Sequence, residues 1–137
     1  MQEITNKKDV AKFLGINEND RLFFYKIDNN NWTYEDEEGY EHLFRRSNNK
    51  WIELTENVKA KSVRCFSDND WYYIDQEGFE HLFKKINGKY IELTKGIEAV
   101  HVWFYPNEDW AYYNTKGEWH IFNKENKLIR KCKSLWG

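Results

Sequence analysis

The residues best suited to chemistry in this 137-residue chain are three histidines, His42, His81 and His120, separated by 39 residues each time. A closed fold with three-fold symmetry would bring their imidazoles around one axis, where they could bind Zn²⁺ with one position left open, as in catalytic zinc sites. In an open array the same side chains would lie too far apart to share an ion. A histidine repeated in this way then serves as a structural hydrogen-bonding group. We favour the structural interpretation and keep the metal site as the alternative.

The other sequence motifs of enzymes are absent. Glu41 and Glu80 directly precede their histidines, so the His-Glu-x-x-His arrangement of zinc proteases does not occur. The four serines show no Gly-x-Ser-x-Gly turn, and there is no phosphate-binding loop or dinucleotide fingerprint. Cys65 and Cys132 lack Cys-x-x-Cys spacing, which favours two reduced thiols. The sequence therefore predicts a protein without enzyme activity and without a cofactor.

The histidines belong to a repeat that organises most of the chain. The same 39-residue spacing relates Trp32, Trp71 and Trp110, then Gly39, Gly78 and Gly117, and then Phe44, Phe83 and Phe122. The first two copies agree closely, as "GYEHLFRRSNNKWIELT" (39–55) and "GFEHLFKKINGKYIELT" (78–94), whereas the third, "GEWHIFNKENKLIRKC" (117–132), has diverged. We predict a single domain over residues 1–137, with an N-terminal helical cap (1–20) and three β repeats (21–62, 63–101 and 102–137).

Each repeat is predicted to contain about four short antiparallel strands. In the middle copy, "WYYID" precedes a turn at Gly78, "FEHLFKKI" and "KYIEL" flank the hairpin signal Asn87-Gly88, and "AVHVWFY" is the fourth strand. Near the N-terminus, Asn6 with Asp9 resembles a helix N-cap pair and Gly15 a stop signal. The predicted fold class is all-β with a short N-terminal helix, as an open repeat array or with β-trefoil-like closure. A closed propeller normally needs four or more blades, so three copies favour it less.

Comparison of the three copies predicts which side chains form the core. A tryptophan and the tyrosine two residues later occur in every copy, whereas the residue between them varies: Thr33, Tyr72 and Ala111. Side chains alternate between the two faces of a strand. We therefore expect the retained rings to point inward and the variable residue to face solvent.

The stretches "KGIEAVHVWFYPNEDWAYYNTKGE" (95–118) and "NDWYYIDQEGFEHLF" (69–83) resemble the WG-repeat family, bacterial repeats built around Trp-Gly-Tyr-Ile-Asp-x-x-Gly. Here Thr33, Tyr72 and Ala111 stand where that pattern has its first glycine. The resemblance implies a β-rich scaffold for contacts, without enzyme activity. The chain is also similar, more distantly, to choline- and glucan-binding cell-wall repeats, which would imply sugar binding.

Aromatic residues that differ between copies are the predicted binding residues, because the repeat itself does not require them. They are Tyr72, Trp103, Tyr105, Tyr113, Trp119 and Trp136. Exposed together, such rings would form a hot spot of the kind found at protein interfaces. Our functional hypothesis is a protein–protein interaction module, acting as a stoichiometric inhibitor of the immunity or phage anti-defence type. The alternative is a carbohydrate-binding module that uses Tyr72, Trp103 and Trp119.

Composition bounds the partner class. Aromatic residues make up 18% of the chain, which predicts a folded core despite a mean hydropathy of −0.96. A net charge of −2 argues against a general attraction to nucleic acid, although a basic run covers residues 124–133. No apolar stretch approaches the length of a membrane span or a signal sequence, so we expect a cytoplasmic protein. The high content of Asn and Lys is typical of low-GC bacteria and their phages and favours such a source. The sequence leaves the oligomeric state open.

Overall fold

A computed structural model describes residues 2–17 and 23–135. One helix, α1 (Lys7–Leu14), precedes twelve strands. The strands are β1 (Phe23–Lys26), β2 (Asn31–Glu35), β3 (Glu41–Ser47), β4 (Lys50–Glu53), β5 (Ser62–Arg64), β6 (Asp70–Ile74), β7 (Glu80–Ile86), β8 (Lys89–Glu92), β9 (His101–Phe104), β10 (Trp110–Tyr113), β11 (Trp119–Phe122) and β12 (Leu128–Cys132).

The strands form three four-stranded antiparallel sheets, and the strand order in each follows the sequence: β1-β2-β3-β4, β5-β6-β7-β8 and β9-β10-β11-β12. The predicted all-β class with about four strands per repeat is confirmed. Across residues 2–17 and 23–135 the sheets remain separate and form no closed barrel, so the β-trefoil-like alternative is not the one adopted. The helix in this part of the chain has 8 residues and is too short to cross a membrane.

The helix covers one face of the first sheet, as the sequence predicts. The side chain of Asn6 accepts a hydrogen bond from the backbone N–H of Asp9, and Gly15 ends the helix with a left-handed φ of 71°. Phe13 then places its ring edge-on to Trp32 at 5.7 Å and to Phe44 at 5.5 Å. The amphipathic helix thus covers the face of the first sheet that would otherwise expose Trp32 to solvent.

Contacts divide the chain into two compact units, one ending at Arg64 and the other beginning at Cys65. The first has a core of Ile4, Val10, Trp32 and Phe44. The second has a core of Leu82, Ala99, Val102, Phe104 and Trp110. The single-domain assignment and the repeat boundaries remain predictions.

The turn between the second and third strands has the same hydrogen-bonding pattern in each sheet. In the second sheet, Oδ1 of Asp75 accepts hydrogen bonds from the backbone N–H groups of Glu77 (2.9 Å) and Phe79 (3.0 Å). Gly78 takes a φ of 91°, a conformation that favours glycine. The other oxygen of Asp75 remains available, and it is used by the histidine of the same repeat.

The expectation that the variable residue after each tryptophan faces solvent is wrong. Thr33 is 6% exposed, Ala111 is 0% exposed and Tyr72 is half-buried. In the second unit, the face of β6 that carries Tyr72 packs on the core cluster, so both faces of that sheet are covered. Ala111 is small and lies directly between Trp103 and Ile121 across the third sheet, and their larger side chains bury it.

Candidate functional site

The first two repeated histidines are structural. His42 places its two ring nitrogens 2.8 Å from carboxylate oxygens of Asp36 and Glu53. His81 does the same with Asp75 at 2.8 Å and Glu92 at 2.9 Å. Since each nitrogen faces an acceptor, the arrangement favours an imidazolium that donates on both sides.

Each of these histidines also stacks on a tyrosine and is tied to the adjacent strand. The ring of His81 lies 4.6 Å from that of Tyr73, and the two planes are 10° apart. Thr94 donates to Glu92 at 3.0 Å and accepts the backbone N–H of Leu82 at 3.0 Å. The same pattern surrounds His42, so the retained Glu-Leu-Thr segments anchor the histidine as well as the turn.

The hydrogen bond to Glu53 raises the pKa of His42 above its ordinary value, although burial opposes it. Burial lowers the pKa of His81, but its bonds to Asp75 and Glu92 outweigh burial and the pKa again lies above the ordinary value. The bond from His42 lowers the pKa of Glu53. Both kinds of shift mean that the charged pair is more favourable in the folded chain than in the unfolded one.

We therefore expect the free energy of unfolding to be greatest at mildly acidic pH. The histidine contribution is fully present below the unfolded pKa of about 6.5 and is lost as pH rises through the raised folded pKa. The carboxylate contribution is present above about pH 4 to 4.5 and is lost as pH falls below it. Urea denaturation at pH 5.5, 7.0 and 8.5 measures the alkaline decline, and a His42→Gln/His81→Gln double variant should flatten it. An unchanged slope in the double variant would contradict the assignment.

The carboxylates also occupy the ring nitrogens that His42 and His81 would need to bind a metal ion. In residues 2–17 and 23–135 there is no group of three His, Cys, Asp or Glu side chains arranged to hold an ion. Both ring nitrogens of His42 and of His81 are instead engaged by side chains of their own repeat. Cys65 and Cys132 are not joined by a disulfide in the structure, and two reduced thiols remain a prediction.

Four of the six predicted binding residues lie on or beside one face of the third sheet, which we call the aromatic face. In its register, Ala111 pairs with Trp103 and Ile121, and Tyr113 pairs with His101 and Trp119. Directly opposed and alternate residues share a face of an antiparallel sheet. The aromatic face therefore carries His101, Trp103, Ala111, Tyr113, Trp119 and Ile121.

The aromatic face has apolar side chains in contact with solvent and a depression at each end. Trp103 on the edge strand β9 is 41% exposed, and Ile129 on the opposite edge strand β12 is 56% exposed. At one end, Tyr113 and Trp119 lie 5.3 Å apart and line a cavity of about 360 Å³ with His101 and Lys133. At the other end, Tyr105, Ile121, Ile129 and Arg130 line a cavity of about 310 Å³, with Asp109 on its wall. Such pockets suit side chains of a partner.

The remaining two predicted residues are placed differently. Tyr72 stacks on Phe66 at 5.2 Å and packs against the core of the second unit. Phe66 in turn lies 5.1 Å from Trp103 in an edge-to-face arrangement, so one ring connects Tyr72 to the exposed Trp103. Trp136 lies outside the described residues.

Sequence reasoning missed the polar partners of this face. His101, Arg130 and Lys133 line its depressions, and none of them belongs to an aromatic pattern. One signal was present: Trp119 occupies the position of Glu41 and Glu80 in the other copies.

Glu80 shows what that position normally does. Its backbone N–H donates to the carbonyl of Ala99 at 2.8 Å, and its carboxylate accepts the N–H of Val102 at 2.7 Å. Burial raises the pKa of Glu80, although the bond from Val102 opposes the shift. In the first unit Glu41 makes the same two bonds, to Ala60 and from Val63. The carboxylate thus joins the third strand of one sheet to the first strand of the next sheet. Trp119, at the same position of the third sheet, has no carboxylate.

No family model matches the chain, and no curated protein matches it. Among solved structures, the chain is similar to "YCF48 bound to D1 peptide", with a TM-score of 0.50, 12% identity, and coverage of 82% of this chain and 40% of that one. It is also similar to the WD40 β-propeller domain of Doa1, with a TM-score of 0.45, 16% identity, and coverage of 84% of this chain and 40% of that one. The chain therefore spans 40% of each of these proteins. At 12% identity the likeness to the first of these structures concerns the fold alone.

Proposed function

We propose that this chain is a non-enzymatic protein-binding module and that the aromatic face receives the partner. The observation that carries the proposal is the combination of exposed Trp103 and Ile129 with a depression at each end of the same sheet face. Large aromatic side chains beside pockets are typical of the residues that dominate binding energy at protein interfaces.

The charge of the surrounding strand indicates the partner's chemistry. β12 and the residue after it contribute Arg130, Lys131 and Lys133, all exposed. Arg130 pairs with Ile121 across the sheet and so lies on the aromatic face, and Lys133 lines the depression beside Trp119. A protein segment with one large apolar side chain and nearby carboxylates fits this surface, because it fills a depression and pairs with the cations.

Two further points support a protein partner over a sugar. The carbohydrate alternative needs Tyr72, Trp103 and Trp119 as one exposed stacking platform, but Tyr72 is half-buried and packs against the core of the second unit. The similar structure of YCF48 is of a protein bound to a peptide, and an extended segment is the kind of partner proposed here. The finer proposal is a stoichiometric inhibitor in the cytoplasm, of the immunity or anti-defence type.

The test uses a displayed library of random 12-residue peptides as the probe. We expect the selected peptides to combine a net negative charge with a Trp, Phe or Leu. Trp119→Ala should weaken binding of the selected peptides about 30-fold, a loss of about 2 kcal/mol as at an interface hot spot. Isothermal titration calorimetry measures the affinity, and circular dichroism confirms that the variant is folded.

The matched control is Tyr25→Ala, because Tyr25 is 66% exposed and lies in the first sheet. This variant should bind the peptides as the parent does. Failure to select any peptide, or selection of peptides that bind the Trp119 variant equally well, would overturn the proposal. Quenching of tryptophan fluorescence by a glucan oligosaccharide, lost in Trp103→Ala, would decide for the carbohydrate alternative.

A further inference from the structure

The third repeat differs from the other two in the surroundings of its histidine. His120 keeps the stacking tyrosine, with ring centres 4.8 Å apart, and it is half-buried. The turn residue that corresponds to Asp36 and Asp75 is Asn114, however, and its amide nitrogen lies 3.1 Å from Nε2 of His120. One carboxylate of the pair is therefore replaced by an amide.

The second carboxylate is absent as well. Glu53 and Glu92 lie opposite Phe44 and Phe83 in their sheets, whereas Phe122 lies opposite Leu128. The residue directly opposite His120 is Lys131. The histidine is thus surrounded by two carboxylates in each of the first two repeats, whereas an amide and a lysine take their place in the third.

Hydrogen bonding of Asn114 determines the tautomer of His120. Oδ1 of Asn114 accepts the backbone N–H groups of Lys116 and Glu118, both at 3.0 Å, so the amide nitrogen must be the group that faces the histidine. An amide nitrogen can only donate, so Nε2 of His120 accepts and its proton resides on Nδ1. In the described part of the chain, no acceptor lies within hydrogen-bond distance of this Nδ1–H.

His120 lines an open cavity. His120, Asn114 and Lys131 line a cavity of about 520 Å³ together with Tyr112 and Lys116. Two carboxylates of the chain, Glu98 and Glu118, also line it, and Lys116 and Lys131 balance them in charge. His120, which lies opposite Lys131 in the sheet, is left without the acceptor that the other two repeats supply internally.

We propose that this cavity binds a carboxylate from outside the chain, which takes the position that Glu53 and Glu92 hold beside the other histidines. Nδ1–H of His120 donates to one carboxylate oxygen, and the Lys131 ammonium pairs with the group. Charge-assisted hydrogen bonds of this kind are the stronger ones in proteins. The carboxylate is an acidic side chain of a protein partner or a small free carboxylate. The site does not use the aromatic face, so it stands or falls separately from the proposed function.

The first experiment titrates the protein with sodium acetate and follows the histidine ring resonances by NMR, with sodium chloride at matched ionic strength as the reference. We expect the His120 resonances to shift saturably with acetate and not with chloride. His42 and His81, whose Nδ1 atoms already meet Glu53 and Glu92, serve as internal controls and should not shift. A shift that is linear, or equal for both salts, would overturn the proposal.

Variants then test the individual groups. Lys131→Gln should weaken acetate binding about tenfold, since tenfold corresponds to about 1.4 kcal/mol and a charge-assisted bond contributes at least that much. Leu128→Glu restores an internal carboxylate and should abolish the acetate shift of His120. Lys127→Gln, an exposed lysine of the same hairpin that does not line the cavity, is the matched control and should leave the affinity unchanged. Equal affinities in all three variants would contradict the assignment.

A second arm distinguishes the sources of the carboxylate. The probes are two capped pentapeptides of glycine, with a central Glu in one and a central Gln in the other. Saturable binding of the Glu peptide alone, displaced by acetate, supports a partner's side chain. Saturation by acetate with no response to either peptide supports a small carboxylate, and equal binding of the two peptides counts against the site.

Discussion

Replacement of Trp71 by alanine is expected to lower the free energy of unfolding by about 3–5 kcal/mol, the usual loss for a large ring deleted from a core. Trp71 is 2% exposed, and its ring stacks on Phe83 with centres 4.4 Å apart. Truncation removes this contact and leaves a cavity that the two flanking strands cannot close without moving. Urea denaturation followed by circular dichroism measures the loss.

Two further variants keep this prediction testable if the alanine variant fails to fold. Nε1 of Trp71 is buried without a hydrogen-bond partner in the described structure, so Trp71→Phe removes volume but also an unsatisfied donor. We expect Trp71→Phe to lose about 1 kcal/mol or less, because the two effects oppose each other. Trp103→Ala, at a ring that is 41% exposed, should lose less than the core variant. Equal losses at Trp71 and Trp103 would refute the placement of the core.

Glu80→Ala is expected to lower the free energy of unfolding by about 1–3 kcal/mol, while Glu80→Gln should stay within about 0.5 kcal/mol of the parent. The reason is the backbone N–H of Val102, which is buried and donates to the Glu80 carboxylate at 2.7 Å. Alanine leaves that N–H without an acceptor, whereas glutamine retains a carbonyl oxygen at the same place. Burial raises the pKa of Glu80, so loss of its charge is not itself expected to be costly.

Chemical denaturation of the pair at pH 7 separates the hydrogen bond from the charge. Should glutamine prove as destabilising as alanine, the contact of the Glu80 carboxylate with Nδ1 of His101, 3.8 Å away, would be the more important interaction. A Trp119→Glu variant is the complementary control, because it places the same carboxylate where no following strand is described. It should contribute no comparable stabilisation.

The repeat made much of the fold predictable. A spacing of 39 residues between tryptophans, with turn signals between them, defined three units of four strands, and the Asn6 and Gly15 signals located the helix. Such signals are local and depend on few residues, which is why one sequence sufficed. The closure of the fold is a long-range property, and the trefoil alternative could be rejected only from the sheet pairings.

Burial of the variable positions shows why the rest was harder. Period-two alternation identifies which residues share a face but does not say whether the other face is covered, and Thr33 and Ala111 were therefore misplaced. The apolar pair Leu82 and Phe83 on adjacent positions did indicate two covered faces. Extending that inference to the neighbouring strand would have placed Tyr72 in the core.

The candidate sites were predictable only in part. Differences between copies pointed to Trp103 and Trp119, because a residue that the repeat does not need is free to serve another purpose. The tautomer of His120 depends on how the Asn114 amide is oriented by the backbone N–H groups that its oxygen accepts. The residues of β12 that lie opposite His120 and Phe122 depend on a register irregularity between Ile121 and Phe122. Neither can be inferred from residue spacing.

The hydrogen bond between the glutamate of one repeat and the backbone N–H at the start of the next, here called the carboxylate joint, makes the second repeat the most useful one for protein engineering. It contains both halves of the joint, since Val63 provides the N–H that Glu41 binds and Glu80 binds the N–H of Val102. The first repeat contains only the acceptor and the third only the donor. A concatemer designed from this chain should therefore be lengthened by duplicating its middle module, and modules appended after the third would lack their connecting carboxylate unless Trp119 were changed to glutamate.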